Sequence, residues 1–414
     1  MRFFYTLVIY LYKFGLWIAS PFNSKARLWC EGRKNVFTFL KNNCSEKKLI
    51  YWVHCASLGE FEQGKPLILK LKEKIPGITI LVTFFSPSGF EVKKNDPVAD
   101  IISYLPIDTP HNAKRFIEIV NPKVVIFVKY EYWYNYMDTL YNLKIPFYYI
   151  SAIFRPSQHF FKTYGKWFAD QLKKASFFFV QNEESKSLLN SIGIDKVEIT
   201  GDTRFDRVFA IASKSYQLDF VLDFKSNKKL IVAGSTWEPD EYLLLQLLDA
   251  HNCNFKLIIA PHLIDQNHID NIVNNFSSYK VLRFSECDRQ DLSEYQVLII
   301  DSIGLLSKIY KYADYSYIGG GFETGLHNIL EPAVFGTPLF FGPHYKKFYE
   351  ATELVRLGVA FPVHNFSEMN SSLTKLDSDF EYYNNVSAIC KQFVYSNLGS
   401  SDKIFNLLNS VIYE

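Results

Sequence analysis

Paired cysteines are missing from this chain. Cys30, Cys44, Cys55, Cys253, Cys287 and Cys390 are its six cysteines, scattered with no C-x-x-C spacing. That spread fits reduced thiols in a cytoplasmic protein and argues against a disulfide frame or a zinc ribbon. The nine histidines show no H-x-x-x-H or similar ligand spacing, so no structural metal is expected. One-signed charge is lacking as well: 45 basic residues against 43 acidic ones leave a formal charge of +2, which removes the electrostatic case for nucleic acid. No G-x-G-x-x-G follows the first expected strand, which counts against a dinucleotide-dependent dehydrogenase. There is no internal repeat and no low-complexity tract.

Aromatic side chains are plentiful, at 17% of the chain with 37 Phe and 27 Tyr, and most are expected in the core. The exception is the apolar run from Phe3 to Ala19, which Lys13 interrupts. It falls just short of the ~20 residues that span a bilayer. Residues 1–20 are therefore expected to form a membrane-associating helix, spanning or lying in the interface. Lys25, Arg27, Arg33 and Lys34 follow it and suit an anionic cytoplasmic leaflet. A cleaved signal peptide is disfavoured, because Ile18-Ala-Ser20 is a poor cleavage site and scattered thiols do not suit export.

From Leu49 onward short apolar runs alternate with longer amphipathic ones. Leu49–Ala56, Ile78–Thr83, Ile101–Tyr104, Val124–Val128, Phe147–Ile150 and Phe177–Val180 read as one series of strands. Leu230–Ala233, Lys256–Ile259, Tyr279–Leu282, Val297–Ile300, Tyr315–Ile318 and Leu339–Phe341 read as a second. This alternation predicts an α/β protein with two doubly wound, Rossmann-like domains facing across a cleft. The expected divisions are a first domain over 21–211, a polar linker over 212–229, a second domain over 230–395 and a terminal helix over 396–414.

Chemistry-bearing residues cluster at the ends of these strands. In the second domain Gly319, Gly320 and Gly321 follow a strand, and Gly325, His327 and Asn328 precede a helical run from Ile329 to Phe335 that carries Glu331. The spacing predicts a phosphate cradle at a helix amino terminus, with Glu331 placed for the hydroxyls of a ribose. Ser235 and Thr236, in Ala233-Gly-Ser-Thr-Trp-Glu238, would meet the same phosphate, and His262 of Ala260-Pro-His262 would face the same ligand. In the first domain Ser57 and Glu60 have capping-box spacing. Gly59 would leave room for an acceptor, and Glu60, kept ionised by the helix amino terminus, would serve as general base. Thr83, Ser86 and Ser88 supply hydroxyls at the next strand end. Lys129 and Glu131 stand among aromatic rings after the strand Val124–Val128, as sugar contacts often do. Asp377-Ser-Asp379 has the form of a metal-binding D-x-D but reads as a solvated polar loop.

In this order the segments resemble the 3-deoxy-D-manno-octulosonic acid (Kdo) transferases of lipopolysaccharide biosynthesis. The family's H-A-x-S-x-G-E is similar to His54-Cys-Ala-Ser-Leu-Gly-Glu60, its T-x-T-x-T-G to Thr83-Phe-Phe-Ser-Pro-Ser-Gly89, and its Y-L-P-x-D to Tyr104-Leu-Pro-Ile-Asp108. Its G-N-x-K-F-D is similar to Gly201-Asp-Thr-Arg-Phe-Asp206, and its G-G-H-N-x-L-E-P-A to Thr324-Gly-Leu-His-Asn-Ile-Leu-Glu-Pro-Ala333. The resemblance implies a GT-B fold and an inverting glycosyltransferase that takes CMP-Kdo as donor and a lipid A precursor as acceptor, without a metal cofactor, at the cytoplasmic face of the bacterial inner membrane. It implies Glu60 as base, assisted by Glu131. Ser235, Thr236, His262, Gly320, Gly321, His327, Asn328 and Glu331 would hold the donor, and Ser57, Gly59, Thr83, Ser86, Ser88 and Lys129 the acceptor. The chain departs from the family at Lys129, where an acid is usual, at His262, where an arginine is, and at Leu326, where a glycine is. A GT-B transferase using a UDP-sugar and a non-catalytic membrane scaffold of the same fold are the alternatives.

Overall fold

The structure, a computed structural model, describes residues 1–413 apart from 252, 253, 289 and 324, so Cys253 and the first position of the 324–333 motif lie outside the described residues. Fourteen strands are described. In the first half they are β1 (Ile50–His54), β2 (Thr79–Phe84), β3 (Ile101–Tyr104), β4 (Val124–Val128), β5 (Phe147–Ala152), β6 (Phe177–Val180) and β7 (Val197–Ile199). In the second they are β8 (Lys229–Thr236), β9 (Phe255–Pro261), β10 (Val281–Arg283), β11 (Val297–Ile299), β12 (Tyr315–Ile318), β13 (Leu339–Phe341) and β14 (Ala360–Pro362). They form two seven-stranded sheets in the orders β3-β2-β1-β4-β5-β6-β7 and β10-β11-β9-β8-β12-β13-β14. Neighbouring strands pair in parallel throughout. Each domain is thus Rossmann-like, and two such domains in one chain make up the GT-B architecture.

The reason lies in strands that are apolar on both faces, which only a sheet covered by helices on each side can bury. In β1, Trp52 packs into one core with Phe127 and Tyr149, while Tyr51 and Val53 enter the core on the opposite face with Ile126 and Val128. The aromatic surplus fills these layers, as in the Tyr149–Phe178 stack, whose rings lie 5.0 Å apart and 7° from parallel.

The chain divides into two compact units, Met1–Arg207 with Gly399–Glu414, and Val208–Leu398. Two features explain where the boundaries fall. The helix Asp219–Lys225 lies inside the stretch read as a linker, and its Val221 and Phe224 are fully buried in the second unit's core. The helix Ser400–Tyr413 returns to the first unit, burying Ile404 and Leu408 beside the helix Leu58–Lys74. Asp206 fixes that return by accepting from the backbone N–H of Gly399 (2.7 Å) and Ser401 (2.6 Å).

The amino-terminal run forms the helix Arg2–Ala19, none of whose residues is fully buried. Phe3, Phe4, Val8, Leu11, Phe14 and Trp17 are exposed on it. One side is docked: Tyr5 donates its hydroxyl to Asp108 (2.6 Å) and packs edge-on against Tyr134, and Tyr12 lies against Trp29 and Phe85. Among the described residues no single helix is long and apolar enough to cross a membrane, although this helix and Ser24–Glu31, bent by 120° between them, pass that test as a pair. Arg33 does not join the basic set expected to meet a membrane. Its guanidinium donates to the carbonyls of Trp29, Phe85 and Leu105 and lies 4.0 Å above the Trp29 ring, and burial lowers its pKa to about 9. Lys25, Arg27 and Lys34 remain exposed.

Candidate functional site

In each sheet the strand order reverses at the first strand of its unit, between β1 and β4 and again between β8 and β12. A ligand of an open parallel sheet binds at the carboxyl ends flanking such a reversal. Most of the residues singled out in the sequence stand at those two places.

In the first unit His54 ends β1, pairs with Thr83 across β2 and is fully buried. The indole N–H of Trp52 donates to Thr83 Oγ1 (2.7 Å), and Thr83 Oγ1 lies 2.8 Å from His54 Nδ1. On the other side His54 Nε2 meets Glu131 Oε2 at 3.1 Å, and Trp133 Nε1 donates to the same oxygen at 2.7 Å. Trp133 Nε1 also lies 3.0 Å from His54 Nε2, so the imidazole, the indole and the Glu131 carboxylate form one close cluster. The chain Trp52, Thr83, His54, Glu131 therefore fixes one carboxylate oxygen. Thr83, expected at an acceptor, is instead a buried link in this chain.

Glu60 lies one turn into the helix Leu58–Lys74, and its Oε2 accepts from the Ser57 N–H (2.9 Å) and hydroxyl (3.2 Å). The expectation that the helix amino terminus keeps it readily ionised is corrected by its surroundings. Burial, and then the charge of Glu131, raise its pKa to about 7, against the pull of Ser57 and Lys129. Gly59 is exposed, with open space where a Cβ would stand. Ser86 and Ser88 bond to each other (2.8 Å) at the start of the next helix, and the Ser86 N–H is tied to the Ala56 carbonyl (2.7 Å). Lys129 leaves β4 with φ of 70°, a conformation that costs a non-glycine residue about 1 kcal/mol or more and gathers at functional sites.

In the second unit the glycine loop is packed against backbone. Gly320 has φ of 87°, and a Cβ on Gly321 would stand 2.6 Å from the Gly342 nitrogen. The loop is nonetheless not a simple phosphate cradle. The Gly319 N–H is used by the Gly234 carbonyl (2.9 Å) and the Gly320 N–H by Asp240 (3.0 Å). The helix after it is also shorter than expected, Leu330–Ala333 rather than Ile329–Phe335, too short to build much dipole. Asn328 donates to Glu331 (3.0 Å) and accepts from the Leu330 N–H (3.3 Å), which orients that carboxylate. Ser235 sits at φ of 56°. Thr236 is fully buried and donates to Glu241 (2.8 Å), which also bonds His268. The rings of Trp237, His262 and His327 form a row, with centroids 4.9 and 4.3 Å apart. Leu326 fits without strain: it is buried, and it is absent from the residues of positive φ.

Sequence reasoning passed over Asp240, Trp237 and the structural use of His54. Asp240 accepts from Tyr317, Gly320 and the Trp237 N–H; with Trp237 rather than Ser or Thr at the helix cap, the sequence carries no capping-box signal for it. Asp377 and Asp379 occupy a helix end and a helix cap rather than a loop. Asp377 accepts from Tyr315 (2.9 Å), and Asp379 caps the following helix through the Tyr382 N–H (2.9 Å).

Residues 31–207 match the family model described as 3-Deoxy-D-manno-octulosonic-acid transferase (kdotransferase). A 3-deoxy-D-manno-octulosonic acid transferase of Aquifex aeolicus is 28% identical over 346 residues, covering 82% of this chain and 89% of that protein. A bifunctional glycosyltransferase/methyltransferase of Fusobacterium nucleatum is 25% identical over 79% of this chain, which spans only 52% of that longer protein. Among solved structures, the UDP-GlcNAc 2-epimerase of Neisseria meningitidis bound to UDP-GlcNAc shares the fold over 88% of this chain and 100% of its own, with TM-score 0.62 and 19% identity. The CMP-Kdo binding domain of an Acinetobacter baumannii protein aligns with 46% of this chain at TM-score 0.37, too slight a likeness to argue from. The expectation of CMP-Kdo as donor and a lipid A precursor as partner is corrected accordingly: whole-fold likeness runs to structures described with UDP or with a UDP-sugar.

Proposed function

We infer that this chain, a GT-B protein related to the Kdo-transferase family, transfers a sugar from a nucleotide-activated donor, a UDP-sugar in the reading we favour, to an acceptor hydroxyl. The observation that carries it is the Glu60 carboxyl, brought to about 7 beside an exposed, unobstructed Gly59 and backed by Glu131. A base of that pKa is half ionised near neutral pH and still strong enough to take a proton from a sugar hydroxyl in the transition state.

In this reading the first unit binds the acceptor and the second the donor. Glu60 accepts the acceptor's proton as that oxygen bonds to the anomeric carbon. The bond from that carbon to the phosphate oxygen breaks, and the nucleotide leaves with the bonding pair from the opposite face, so the configuration inverts. Glu131, fixed by His54 and Trp133, keeps negative charge near Glu60 and sustains its basicity. Glu331, aligned by Asn328, takes the ribose hydroxyls. Lys25, Arg27 and Lys34, with the apolar face of Arg2–Ala19, support association with the cytoplasmic face of an inner membrane.

The test is ligand-induced stabilisation by UDP, UDP-sugars and CMP, followed by turnover of the donor that binds. Stabilisation by UDP-sugars with turnover lost in Glu60→Gln supports the reading. Stabilisation by CMP alone would reverse the donor assignment.

A further inference from the structure

The ring row at the carboxyl ends of β8, β9 and β12 has a use beyond packing. Trp237 follows β8, and its backbone N–H donates to Asp240 (2.9 Å), the carboxylate that also holds Gly320. His262 follows β9, with its N–H on the Thr236 carbonyl (3.0 Å) and its side chain exposed. His327 comes from the loop after β12, where a Cβ on Gly320 would stand 3.0 Å from its ring. Three strand ends thus bring three rings into register: Trp237 on His262 at 28° between planes, and His262 on His327 at 26°.

Trp237 Nε1 and His327 Nε2 are buried and have no hydrogen-bond partner among the described residues. A buried indole N–H can only donate, and leaving it unsatisfied costs about 1–3 kcal/mol. Two such atoms in one row, beside a strained Ser235 and a glycine loop held by the buried Asp240 carboxylate, are a cost that a ligand can offset. The loop's N–H groups at Gly319 and Gly320 are already taken by the Gly234 carbonyl and Asp240, so those two offer an anion no donor.

We propose that the Trp237 indole N–H is a binding determinant for a phosphate oxygen of the nucleotide donor, with His327 Nε2 as the second contact at the other end of the row. The inference rests on the nucleotide-sugar reading above and deepens it. The glycine loop then shapes the pocket while side chains of the row supply the hydrogen bonds. Trp237 can accept nothing and so selects an oxygen acceptor. Asp240 acts on the same contact indirectly, since it anchors both the Trp237 backbone and Gly320.

The experiment compares calorimetric binding of uridine, UMP, UDP and CMP to wild type and Trp237→Phe, which keeps a stacking ring and deletes the N–H. Beside it, the indole N–H signal of Trp237 in the wild-type protein is followed by NMR as nucleotide is added. The expected result is about tenfold weaker binding of phosphate-bearing ligands to Trp237→Phe, the equivalent of one hydrogen bond, with uridine unaffected and a downfield shift of the wild-type signal. Equal phosphate binding by both proteins with no movement of that signal would overturn the inference while leaving the nucleotide reading intact. If wild type binds none of these nucleotides, both fall. The NMR arm decides the matter even if Trp237→Phe is poorly folded.

Discussion

The Glu60 carboxyl, with its pKa raised to about 7, must show itself in rate and in stability. Its ionised form is the base, so kcat/KM should rise with pH through about 7 and level off above it, and Glu60→Gln should lose about 10²- to 10⁴-fold in kcat. Stability should move the other way. The folded pKa lies above the unfolded one, so the native state holds a proton that the unfolded chain has released between about pH 4.5 and 7. The Glu60 contribution is therefore favourable below that window and is lost as pH rises through it. Glu60→Gln should melt above wild type at pH 8 and converge with it toward pH 5; thermal scans across that range check both halves. Removing Glu131, the second cause of the shift, should lower the rate profile's pKa.

Between elements the question is what holds the loops after the strands. Asp108 is buried and accepts from Tyr5, the Asn135 N–H (3.1 Å) and the Tyr136 N–H (3.0 Å), so it ties the first helix to the start of Tyr134–Asn142, just after Trp133. Burial nonetheless raises its pKa to about 6. Asp108→Ala should cost about 2–4 kcal/mol, read from denaturant melts, because two buried N–H groups lose their acceptor. Tyr5→Phe should cost less, about 1 kcal/mol.

Elements of this size were legible when their apolar runs were continuous, as β3, β4, β6, β12 and β13 were to the residue. Val197–Ile199 and Ala360–Pro362 were not, because three residues at a sheet edge, one buried and two half-buried, carry no period to read. The helix after the glycine loop was overread for a related reason: Pro332 and Gly336 fall too close together for a longer one to form. At the site, positions were readable and partners were not. Sequence spacing marked Thr83 and Gly320, but whether a hydroxyl or N–H faces a ligand depends on residues such as His54 and Asp240 that the fold brings up from other segments.

Across the molecule the two sheets repeat one plan, with strained non-glycine backbone at Lys129 in the first and Ser235 in the second, each at the reversal of strand order. The last helix completes the first unit rather than the second, so truncation before Gly399 should remove Ile404 and Leu408, uncover the core they pack against, leave Asp206 without its backbone donors and lower the melting temperature of that unit. The central claim is that a nucleotide-activated sugar is consumed here with Glu60 as base. Its most direct measurement is nucleotide release and acceptor glycosylation by the purified protein with a panel of UDP-sugars, run beside Glu60→Gln. Turnover by wild type and its loss in the variant are expected, with UDP stabilising both proteins equally. Equal turnover by the two proteins, or stabilisation by CMP and not by UDP, would contradict it.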